Sequence, residues 1–192
     1  MTKHIGRFGL RCATLITAAS LFLSVTTVRA AEDNSVLVSK LLSQAKTQAY
    51  QLREDAEEMQ LLTQVHESAS SATQISIETK AEAINSINGD VNAMMALQAK
   101  LDNARKIAAP WQQMAIDEIK PLVMELASNT QVVIQYINNA PTKLNSADYK
   151  DYVEANSDQA AQLAALINSF IDYGKAKERL QRIGDKVAHP DR

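Results

Sequence analysis

From Pro110 to Ala140 the apolar residues keep one rhythm. Ile116, Ile119, Val123, Leu126, Thr130, Val133, Ile137 and Ala140 follow at alternating steps of three and four. That is a heptad seam, the period that holds one stripe of a helix against a partner. Leu122, Ile134 and Tyr136 widen the stripe to the face a bundle helix needs. A helix so apolar on one side needs other helices, and the rest of the chain supplies the same pattern.

The N-terminus reads differently. Met1 to Arg11 carries Lys3, Arg7 and Arg11 with no acid, Cys12 to Val28 is apolar, and Val28-Arg29-Ala30 ends in small-x-small. Residues 1–30 are expected to be a cleaved secretory signal peptide, which places the chain in the periplasm or outside the cell. The apolar run is short and rich in Ser and Thr, so no membrane span is expected after cleavage. Cleavage would leave 162 of the 192 residues and remove four basic residues, taking the formal charge from −2 to −6. Such an acidic chain with scattered bases does not suit nucleic acid. Cys12 is the single cysteine, so the mature chain would have no disulfide.

Four helices are expected, at about 35–66, 71–106, 110–139 and 146–183, forming one domain over 31–184 with a flexible tail at 185–192. In the first, Val38, Leu41, Ala45, Leu52, Met59 and Leu62 form a seam, with Leu42, Ala49 and Ala56 beside it, that also takes in Gln48 and Asp55. In the second, Ile77, Ile84, Ile87, Val91, Met94 and Leu101 keep register through Gly89, so Asn88-Gly89-Asp90 is read as helix. Pro110 suits the first turn of the third helix, and Pro121 predicts a kink on its outer side. The fourth seam is Tyr149, Tyr152, Asn156, Gln159, Leu163, Leu166, Phe170, Tyr173 and Leu180, flanked by Val153, Ala160 and Ile167, with Gly184 as its C-terminal cap. Helices of matched length joined by short connections make an all-α, up-down-up-down antiparallel four-helix bundle.

Reflecting residue numbers about the three turns groups the polar seam positions into layers. One layer holds Gln48, Asn92, Asn129 or Thr130, Asn156 and Gln159. A second pairs Asp55 with Lys80 among Tyr136, Tyr149 and Tyr152. Such layers fix the register of a bundle, and the sharper alternative is a small-ligand pocket between the helices. The same reflection brings Trp111 to Tyr173 and Phe170, as an end plug or, with Met114, as a partner surface. Met94, Met95 and Met124 come to similar heights and read as gap-fillers, not copper ligands.

Catalytic motifs are missing from the sequence. It has no Cys-x-x-Cys-His, no Glu-x-x-His pair, no Gly-x-Ser-x-Gly and no Gly-rich phosphate loop. The architecture is similar to periplasmic haem-binding bundles, but no histidine falls inside the fourth helix. It is also similar to chemoreceptor sensing bundles, which need an apolar exit that the C-terminus does not show. No family is assigned, and no catalytic residue, metal ligand or cofactor is expected. The expectation is a non-catalytic structural, adaptor or chaperone-like bundle that binds a protein or itself. A small-molecule-binding or sensor bundle using the polar layers is the alternative.

Overall fold

A computed structural model describes residues 20–68 and 76–189. Four α-helices follow in order: α1 (Ser20–Ser68), α2 (Ile77–Ala104), α3 (Pro110–Asn139) and α4 (Ala147–Ala188). They pack as an antiparallel four-helix bundle in which each helix touches its two sequence neighbours and α1 closes against α4. Residues 1–19, most of the expected signal peptide, and the expected helical residues 71–75 lie outside the described residues. Backbone of residues 20–30 is helical and continuous with α1. Among the described residues no helix is long and apolar enough to cross a membrane.

The helix ends follow local chemistry. Ser76 caps α2 by accepting the backbone N–H of Thr79, and Ser146 caps α4 by accepting that of Tyr149. Pro110 opens α3. Gln112 stands in for a cap there: its Oε1 accepts the Ala109 N–H at 2.9 Å. Its Nε2 donates to the Ser35 carbonyl and to Ser39 Oγ, tying α3 to α1. α3 passes through Pro121 without a break, and that proline is exposed.

The core is a set of four seams with steps of three and four. On α2 the buried residues are Lys80, Ile84, Ile87, Val91, Met94, Gln98 and Leu101. α3 buries the expected stripe from Ile116 to Ile137. On α1 the seam is Val38, Leu42, Ala45, Ala49, Leu52, Ala56, Met59 and Thr63. Val38, Ala45, Leu52 and Met59 hold their expected places, but Leu42, Ala49, Ala56 and Thr63 replace the line Leu41, Gln48, Asp55 and Leu62, leaving Gln48 and Asp55 half-buried at the edge. On α4 likewise, Val153, Ala160 and Ile167 are buried, whereas Tyr152, Gln159, Leu166 and Phe170 flank the seam.

Three expectations fail. Ile77 is exposed, because it opens α2. Gly184 does not end α4, which runs on to Ala188; the glycine lies in open space and its cost of about 1 kcal/mol is absorbed. The helices are also unequal, at 49, 28, 30 and 42 residues. Gln112 at the start of α3 is level with Ser35 of α1, and Trp111 with Gly174 of α4. The helical residues 20–34 and 175–188 therefore run past the α2–α3 turn.

Candidate functional site

The densest buried polar group lies near the start of α2. Lys80 is only 2% exposed, and its Nζ stands 5.7 Å from the centre of the Tyr149 ring. Tyr149 is wholly buried, with Tyr136 edge-on at 5.8 Å and Tyr152 at 6.4 Å from Tyr136. Thr63 completes the group from α1, donating its own hydroxyl proton to the Met59 carbonyl at 2.9 Å. All four helices contribute.

The expected second layer is thus assembled, with one member missing. Asp55 does not reach Lys80. It accepts from Gln51 at 2.9 Å and from the Ser86 hydroxyl, on the α1–α2 edge. The reason is the shifted seam of α1: Ala56, not Asp55, faces the core. Among the described residues the Lys80 ammonium makes no ion pair or hydrogen bond, and the π face of Tyr149 is its counterpart. Burial lowers the Lys80 pKa. The Tyr149 hydroxyl lies by Thr63 without completing a hydrogen bond, and burial pushes it up to about 12 against that neighbour's pull.

The first expected layer divides into two. Gln48 donates to Asp90 at 2.7 Å across α1 and α2. Burial raises the Asp90 pKa, the Gln48 amide opposes this, and nearby Asp55 adds to the rise. Asn92 is exposed. Across α3 and α4, Asn129 donates to Gln159 at 2.9 Å. Thr130 and Asn156 lie within a turn of that bond, both buried, with Thr130 Oγ1 and Asn156 Oδ1 lacking a protein partner.

Trp111 joins the bundle as an end plug. Its ring meets Tyr173 edge-on at 6.1 Å and lies so close over Gly174 that a Cβ there would sit 2.6 Å from the indole. Met114, one turn on, is 61% exposed. The three methionines separate: Met94 is in the core, and Met95 and Met124 are exposed. The buried polar residues Thr63, Gln98 and Gln112 were missed in the sequence. Each falls on a seam at a step of three or four from an apolar residue, so the heptad itself could have found them.

A cavity of about 190 Å³ beside the lysine cluster is lined by Gln60, Thr63, Gln64, Lys150, Val153 and Glu154. Small-molecule sites usually enclose roughly 300–1,000 Å³, and neither Lys80 nor Tyr149 lines this one. The cluster is closed packing around a cation, able to fix which helices meet. The chain matches no protein-family model, no curated protein and no solved structure.

Proposed function

We propose that the protein is an exported, non-catalytic helical bundle that works through its surface, as a scaffold, adaptor or chaperone-like partner. The distribution of exposed apolar side chains carries this reading. Val36, Leu37, Ile107, Met114, Tyr173, Leu180, Ile183 and Val187 are all exposed, and all belong to the end where α1 enters, α2 turns into α3, and α4 leaves. A single protein rarely gathers apolar surface at one end without a partner for it. The Lys80 cluster lies inside closed packing, which suits register and not turnover.

The test is native mass spectrometry of the full-length chain taken from its own cells. An assembly is expected, loosened by Ile107→Asp with Met114→Asp and untouched by Leu61→Asp at the far end. A bare monomer refutes the reading. One observation favours a second reading, a small-molecule sensor: Lys80 has no carboxylate partner among the described residues. A stoichiometric small mass, lost in Lys80→Met, would support that reading instead.

A further inference from the structure

Charge is divided unevenly along the chain. Residues 175–188 carry five Lys or Arg against two Asp or Glu, whereas residues 31–174 carry ten against nineteen. The basic segment is the part of α4 that runs past the start of α3. Along it Leu180, Ile183 and Val187 share one helix face and remain 70%, 50% and 76% exposed. Beside that stripe, Arg179, Arg182 and Lys186 line a single cleft of about 270 Å³ together with Ile183. None of these three cations has an ion pair among the described residues.

We propose that this end of α4 lies on an anionic lipid surface, with Leu180, Ile183 and Val187 dipping into the headgroup boundary and the cleft taking a lipid phosphate. The chemistry is that of an amphipathic helix whose polar flank is basic. A partner helix would cover a stripe this narrow but leave the cleft beside it. A plane of headgroups reaches both. The acidic body of the bundle is repelled by the same surface, which tilts the molecule so that this projecting end of α4 makes the contact. α1 starts at that end too, and its first turns form part of the apolar run Cys12–Val28. Leu180, Ile183 and Val187 then face lipid, and the protein partner of the proposed function keeps Val36, Leu37, Ile107, Met114 and Tyr173.

The test is flotation of the full-length chain with vesicles of phosphatidylcholine alone or with added phosphatidylglycerol. Binding through the N-terminal apolar run and its flanking Lys3, Arg7 and Arg11 would be unchanged in variants of α4. The expected result is an excess on anionic vesicles that high salt removes. Neutralising the three cations by Arg179→Gln, Arg182→Gln and Lys186→Gln should lower it about a hundredfold, taking each cation's usual contribution. Charge reversal by Arg179→Glu, Arg182→Glu and Lys186→Glu should lower it further, and Leu180→Ser with Val187→Ser should lower it without changing its salt dependence. Circular dichroism confirms that each variant folds. Equal binding to both vesicle types overturns the proposal, as does a charge-reversal variant that floats like the parent. Displacement by millimolar inorganic phosphate would make this a free-anion site. A concentration-dependent dimer by ultracentrifugation, lost in the Leu180 and Val187 variant, would give the stripe to a second copy. Either outcome overturns it.

Discussion

Replacing Lys80 by methionine should stabilise this protein, although it removes one of the most buried long side chains. The stem of Lys80 is packed in the core, and methionine keeps an unbranched stem of similar length. What disappears is an ammonium with no carboxylate partner among the described residues. Replacing buried ions by apolar groups of similar volume has gained about 1–4 kcal/mol elsewhere. Against this stands the loss of the contact with the Tyr149 ring, about 0.5–2 kcal/mol. A net gain of about 1 kcal/mol follows, or a rise of roughly 2–4 °C in the melting midpoint for a chain of this size. Lys80→Ala should act in the opposite direction. It deletes three buried methylenes, about 2.4 kcal/mol of transfer free energy, and leaves a hole, which outweighs the relief of charge.

The pH dependence separates this from a packing effect. Burial holds the Lys80 pKa in the folded state below its ordinary 10.5. The cost of keeping the charge is fully present below the folded pKa. As pH rises from that value toward 10.5, the folded protein releases its proton before the unfolded chain does, and the parent gains stability. The Lys80→Met advantage should therefore shrink with rising pH in thermal melts followed by circular dichroism. A variant that melts below the parent at neutral pH, or an advantage that stays constant through pH 10.5, would refute the reasoning.

Tyr149→Phe removes a buried hydroxyl that lacks a hydrogen bond and should gain up to about 1 kcal/mol at neutral pH. Because burial pushes Tyr149 up to about 12 from its ordinary 10.0, its contribution is present below pH 10 and lost as pH climbs toward 12; alkaline melts should show that loss reduced in the phenylalanine variant. Gly174→Ala should cost about 1–2 kcal/mol and shift the Trp111 fluorescence, since the new methyl must displace the indole. Gly89→Ala, with nothing within 4 Å, should instead gain about 0.5–1 kcal/mol in the same denaturant titration. Ala49→Leu should destabilise by about 1–3 kcal/mol through overpacking of the buried α1 seam, whereas Gln48→Leu at its edge should cost about 1–3 kcal/mol by the urea midpoint for another reason, because the Asp90 carboxylate loses its amide donor.

That last contrast marks where the sequence stopped being legible. On α3 the large residues Ile116, Ile119, Val123 and Leu126 leave only one line for the seam, and the structure follows it. On α1 two adjacent lines compete. One passes through Leu41, Gln48, Asp55 and Leu62, the other through Leu42, Ala49, Ala56 and Thr63. Counting large side chains does not separate them. Steric fit does: alanines let two backbones approach closely, and the second line buries no carboxylate. The site inherited this ambiguity. Lys80, Tyr136, Tyr149 and Tyr152 could be brought together by reflection about the turns, because all four stay in the same layer whichever line is drawn. Asp55 could not, because a shift of one position rotates a residue by about 100° around the helix. The far end was illegible for a different reason. Leu180, Ile183 and Val187 continue a heptad, and a heptad records only that a partner is wanted. Whether α2 and α3 are long enough to supply that partner depends on where their ends fall, and at Gln112 and Trp111 they fall short of it. An apolar stripe that outlasts its own bundle is therefore the place where fold stops accounting for the sequence and function has to begin.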